Sequence, residues 1–132
     1  MRYVTTYFAT AVPFWIADLL WLGVVARTFY RDSLGPLMAN PFDLKAAAAF
    51  YLIFPIGIVI FAVAPALAAV SASQALLMGA LFGFFCYATY DLTNLSTLRN
   101  WPLKMSLVDM VWGAVLTGAT AWAGYQVTRM FV

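Results

Sequence analysis

The chain reads as an all-α integral membrane protein: a four-transmembrane-helix antiparallel bundle with a short interfacial segment between helices one and two. Three observations carry that expectation. Apolar residues make up 65% of the 132 and charged residues only 9%, against about 25% charged in soluble domains. Mean hydropathy is +0.90. The stretch 46–90 carries no charge at all and is about two bilayer crossings long, while the flanking runs 3–26 and 105–128 each suffice for one.

Span one, 3–26, contains a single charge, Asp18. Arg2 before an apolar run has the form of a secretory leader, but a leader's apolar core is about 7 to 15 residues and is not interrupted by an acid. The segment therefore reads as a crossing. Pro13 here and Pro55 in span two predict kinks, tolerable in lipid where neighbouring groups satisfy the freed carbonyls.

In the connection 27–45, Tyr30, Leu34, Leu37 and Met38 recur at helical spacing beside Arg27 and Arg31. This fits a short interfacial helix broken at Gly35-Pro36, or an irregular surface loop. Asn40-Pro41 has the form of a helix cap with a first-turn proline opening span two.

Something must divide 46–90. Between Pro65 and Gln74, Val70-Ser71-Ala72-Ser73-Gln74 supplies turn formers and a cap, giving span two at 45–65 and span three at 74–95. Span four, 105–128, follows Pro102 and Lys104 and leaves at Arg129. Its Gly113, Thr117, Thr120 or Ala121, and Gly124 form a small-residue stripe. Gly79, Gly83, Tyr87, Tyr90 and Asn94 form a matching one on span three, so these two spans should pack closely. All four spans form one domain, 1–132.

The connections after spans one and three hold Arg27, Arg31, Lys45, Arg99 and Lys104, against Arg2 and Arg129 on the other side. The charge asymmetry places those connections in the cytoplasm and both termini in the periplasm. Net charge is +2 with the bases scattered singly, which argues against a nucleic-acid surface. The absence of histidine excludes His-ligated haem, the usual helical zinc and di-iron sites, and a His-based triad. Cys86 is the lone cysteine and sits in an apolar segment, so no intrachain disulfide forms.

In a four-span chain the end of span one, the start of span two, the end of span three and the start of span four meet at one membrane face. Asp18, Asp91 and Asp109 lie roughly 12, 6 and 6 Å from that face at 1.5 Å per residue. Three carboxylates on three helices thus share one level. Unpaired, each costs up to about 3 kcal/mol in lipid, so they must face inward and be paired, protonated or hydrated. Tyr51, Tyr87, Tyr90, Asn94 and Arg99 are the partners at that depth, together with Arg27 and Lys104.

These eight residues, Asp18, Asp91, Asp109, Tyr51, Tyr87, Tyr90, Asn94 and Arg99, form the candidate ligand or proton site; no catalytic role, metal or cofactor is assigned. A structural reading stands beside it. Ser106-Leu107-Val108-Asp109 has the form of a capping box. Asp91 near a helix C-terminus has no such excuse, since the macrodipole disfavours an anion there. Trp15, Trp21, Trp101 and Trp112 read as interface anchors or packing.

The run Tyr90-Asp91-Leu92-Thr93-Asn94, continuing through Thr97-Leu98-Arg99 to Trp101-Pro102, resembles the signature of the bacterial membrane proteins catalogued as domain of unknown function 2177. Asp18 with Trp21, Phe50-Tyr51-Leu52, and Asp109 with Trp112-Gly113 extend the likeness over nearly the whole chain. The resemblance implies a four-span protein of the bacterial inner membrane and brings no substrate or catalytic assignment.

Three functions fit. The first is a small carrier or binding protein for a proton, cation or apolar cationic molecule, acting as a homodimer because four helices are few for a translocation path. The second is an enzyme acting on a lipid or isoprenoid, with Arg99 holding a phosphate; no metal-dependent transferase motif supports it, and the chain leans away from enzymes. The third is an accessory subunit whose polar layer only fixes helix register.

Overall fold

Proline, glycine and the polar caps decide where the helices begin and end. In a computed structural model, which describes residues 2–39 and 41–132, the described residues are helical with short turns and no strand. Helix α1 (Arg2–Val25) closes in a wide turn at Trp21–Val25, where the Ala26 N–H donates to the Trp21 carbonyl at 2.7 Å. A short amphipathic helix, α2 (Arg27–Leu34), follows and stops at Gly35-Pro36. Gly35 has φ +53, a conformation open to glycine at little steric cost. Of the two readings of this connection, the helix forms.

Helix α3 (Leu44–Ala69) is capped by Asp43, whose carboxylate accepts from the N–H groups of Lys45 and Ala46, both at 3.1 Å. The cap expected at Asn40 lies outside the described residues, and Pro41 is not in the first turn. Pro55 removes the donor that would have bonded the Tyr51 carbonyl. The Trp15 indole N–H supplies it from α1 at 2.8 Å. Past Pro65 the helix continues to Ala69 instead of ending. A wide turn at Val59–Val63 directly precedes that proline, and such turns relax the ladder where a donor is missing. The break falls at Val70, which has φ 52.

Ser71 caps helix α4 (Ala72–Thr97) by accepting from the Gln74 N–H at 3.1 Å. Helix α5 (Leu103–Phe131) is the longest element. Helices α1, α3 and α4 are each long and apolar enough to cross a membrane. That makes three crossing candidates where the sequence suggested four. Roughly 43 Å of α5 would also reach across, but Gly113, Thr117, Gly118, Thr120, Gly124 and Thr128 dilute its apolar character, and all six are buried.

α5 is the hub. Its largest interface is with α4 and the next with α1. The glycine stripes account for the first: a Cβ on Gly79 would stand 2.6 Å from that of Ala121, and one on Gly83 would strike the Gly113 carbonyl. Gly124 turns to the other side, against Thr10 of α1, so the α5 stripe serves two neighbours. Outside, Val4, Ile16, Ile53, Ile60, Leu77, Phe85, Val111 and Val115 are exposed, while Thr6, Thr10, Asp18, Asp91, Ser106, Thr117 and Thr128 are buried. An apolar exterior around a polar-studded interior is the arrangement a lipid solvent selects.

Candidate functional site

One half of α3 shapes the site. The segment Leu44–Ile58 leans on α1, whereas the wide turn Val59–Val63 packs against α4, α5 and α1. The helices therefore close at one end and part at the other, leaving a cavity of about 490 Å³ between α1, α3, α4 and α5. Its apolar wall is Leu22, Ala47, Phe50, Phe54 and Cys86, and its aromatic polar wall is Tyr51, Tyr87, Tyr90 and Trp112. Asp18 and Asp109 are its acids.

The rings are held by what surrounds them. Tyr87 lies over Gly113, where any Cβ would run into its ring. Phe54 stacks on Phe82 at 5.5 Å and Phe50 on Phe54 at 5.2 Å, while Phe14, fully buried, meets Phe54 at 5.4 Å. Trp112 stacks on Trp21 with centroids 4.3 Å apart and planes 10° from parallel.

Each acid has a different environment. Asp18, 5% exposed, accepts from the Tyr51 hydroxyl at 2.6 Å and from the Trp112 indole N–H at 3.0 Å, one donor to each oxygen. Asp109 accepts from the Tyr30 hydroxyl at 2.9 Å, which itself accepts from the Trp21 indole N–H at 3.0 Å. Burial, and then the charge of Asp109, raise the Tyr30 phenol above its ordinary value of 10.0. It therefore stays protonated and donates throughout the physiological range.

Asp91 is the exception. It is 0% exposed, and neither of its oxygens has a hydrogen-bond partner. Its charged neighbour is the Asp109 carboxyl. Two carboxylates offer each other only lone pairs. A bare buried charge of this kind costs several kcal/mol, so the pair requires a proton or a cation.

The three acids and Tyr51, Tyr87 and Tyr90 are thus gathered at one end of the molecule. Asn94 is partly buried on α4 and is not part of the cavity wall, and Arg99 is exposed in the turn after that helix. Asn100 has φ 62, which helps reverse the chain between α4 and α5, and Arg99 is not part of the cavity wall. The capping-box reading of Asp109 fails, because α5 begins at Leu103, four residues before the start that Ser106 as the cap would set. Pro102 precedes its first turn, and Ser106 lies inside the helix, donating to the Pro102 carbonyl at 2.8 Å and accepting from Trp101 at 2.8 Å.

Sequence reasoning missed Tyr30 as a member of the site and read Trp21 and Trp112 as interface anchors or packing, not as donors to its acids. The echo Asp18…Trp21 and Asp109…Trp112, each three residues apart on a helix, was the available signal. Among the described residues no group of three or more His, Cys, Asp or Glu side chains is arranged to hold a metal ion.

No curated protein and no solved structure matches the chain. A family model described as "predicted membrane protein (DUF2177)" matches residues 3–126. Helices able to cross a membrane, an apolar exterior and this match together place the chain in the DUF2177 family of membrane proteins.

Proposed function

We propose that this protein is a small carrier or binding protein of the bacterial inner membrane whose cavity takes an apolar organic cation. One observation carries the reading: a cavity of about 490 Å³ walled by aromatic and aliphatic side chains has two carboxylates, Asp18 and Asp109, as the charged groups of its lining. That volume falls in the range of sites for drug-sized molecules, roughly 300 to 1,000 Å³. Carboxylates supply the counter-charge, and the faces of Tyr51, Tyr87, Tyr90 and Trp112 supply cation–π attraction of about 0.5 to 2 kcal/mol each. A phosphorylated lipid is a poorer fit, because Arg99 is exposed and not part of the cavity lining.

In this reading α5 is the fourth crossing, both termini lie in the periplasm and the cavity opens towards the cytoplasm, which the five bases on that side support. A carboxy-terminal reporter active only in the cytoplasm would reverse the orientation. Transport across the whole bilayer would run through a pair of chains.

The test is binding of tetraphenylphosphonium by the purified full chain in lipid nanodiscs, followed by calorimetry. Saturable binding with a Kd in the micromolar range is expected, weakened at least about tenfold when Asp18 and Asp109 are both changed to Asn, which is the loss of roughly 1.4 kcal/mol. Equal affinity of the wild type and the double variant would remove the cavity from the account.

A further inference from the structure

We infer that Asp91 and Asp109 share one proton in the empty protein and that an organic cation entering the cavity displaces it. The inference deepens the cation-site reading and rests on it. Its ground is the inequality among the acids. Asp18 has a donor on each oxygen and Asp109 has the Tyr30 hydroxyl, whereas Asp91, fully buried, has none. Asp109 stands between Asp91 and the cavity: it lines the wall, and Asp91 lies behind it. A shared proton gives Asp91 the partner it lacks, because a protonated carboxyl can donate to a neighbouring carboxylate.

The remaining titratable groups facing this pair are Asp18 on α1, Tyr30 on α2, Tyr51 on α3, and Tyr87 and Tyr90 on α4. The phenols of Tyr51 and Tyr30 already donate to Asp18 and Asp109. No basic group is among them, so the charge that could replace the proton must arrive from the cavity.

The exchange balances. The carboxyl O–H bond breaks, the proton leaves through the cavity to water, and the pair, now carrying two negative charges, faces the single positive charge of the ligand. The net charge of the site is unchanged. Burial that would oppose a second bare carboxylate therefore does not oppose the exchange. Bound cation and bound proton compete, so affinity rises with pH by up to about tenfold per unit.

Tetraphenylphosphonium carries no proton of its own, so any proton released on binding comes from the protein. Titrated into the full chain in weakly buffered nanodiscs with a pH dye, it should release close to one proton per cation bound. The infrared spectrum of the ligand-free protein should show the carbonyl stretch of a protonated carboxylic acid, and the cation should remove it. Asp91→Asn should lack that band and bind with an affinity no longer dependent on pH. If Asp91→Asn does not fold, the wild-type stoichiometry and the infrared band decide alone.

Binding without proton release, in a protein with no acid carbonyl band, would overturn the shared proton and leave the cation site standing. An acid band present in a protein that binds no cation at any pH would overturn the exchange together with the cavity reading.

Discussion

The two ends of the α4–α5 pair are built from the same backbone geometry and opposite side-chain sizes. At one end Gly79 and Gly83 meet Gly113, Thr117, Gly118 and Ala121, and the helix backbones approach until a single methyl has no room. At the other, the α4 stripe continues as Tyr87 and Tyr90 and the α5 stripe is flanked by Trp112 and Asp109, which line the cavity. Tight contact at one end acts as a clamp about which the other can stand open. The order of small and large residues along one helical face thus sets both the packing and the site, and substitutions at the two ends should differ in kind.

Gly83→Ala should have the largest effect. Its Cβ would fall 2.5 Å from the Thr117 hydroxyl and onto the Gly113 carbonyl, and neither is the end of a flexible side chain. The helices must part, at a cost near the upper end of overpacking effects, about 3 kcal/mol. Gly57→Ala on α3 is the contrasting case, because its Cβ would meet the Phe82 ring at 2.9 Å. A ring can tilt, so the loss should stay below about 1 kcal/mol. Unfolding of the detergent-solubilised proteins checks both, and equal losses would mean that the α4–α5 backbone contact yields as readily as a ring does.

Tyr30→Phe probes the open end. Removing the hydroxyl takes the donor from Asp109 and the acceptor from the Trp21 indole. Two hydrogen bonds at a partly buried site should be worth about 1 to 2 kcal/mol at neutral pH. The pH dependence has a definite sign. The folded state holds Tyr30 protonated above its ordinary value of 10.0, through burial first and Asp109 second. Its contribution is therefore complete below that value and is lost as pH rises beyond it, where the unfolded chain ionises first. The stability gap between the wild type and Tyr30→Phe should be constant from pH 6 to about 9 and should narrow above about 10; a gap that widens there would contradict the assignment of Tyr30 as a donor.

The same contrast divides what the chain reveals in its linear order from what it conceals. Positions that depend on counting along a single helix were legible: the glycine stripes, a cap within 70–74, though the helix starts at Ala72 and not at 74, and the gathering of Asp18, Asp91 and Asp109 at one end, each a multiple of 1.5 Å from a helix end. Positions that depend on a turn were not. Tyr30 reaches Asp109 because the chain bends at Ala26, where φ is −113 and the wide turn of α1 ends, and no periodicity encodes that bend. Arg99 is exposed in the turn after α4 and is not part of the cavity wall. The end of α3 was misjudged at Pro65 because a wide turn upstream absorbs the missing donor, and such turns have no residue signature comparable to proline itself. Helix α5 is not among the crossing candidates for a further reason: the helix with the most neighbours needs the fewest lipid-loving residues.

The smallest expected effect belongs to a glycine that neither end uses. Gly23 lies in the wide turn closing α1, and a Cβ placed there would meet nothing within 4 Å. Its backbone is not in the left-handed region, since among the described residues the positive-φ positions are Gly35, Val70 and Asn100. Gly23→Ala should therefore cost nothing in packing and gain a few tenths of a kcal/mol, up to about 1, by restricting the unfolded chain. A neutral or slightly raised midpoint of unfolding would show that glycine at this position is not required by contact. A loss comparable to that of Gly83→Ala would mean instead that the wide turn must bring its backbone against a surface that one chain does not supply, and a second copy seated at the end of α1 would become the next structure to seek.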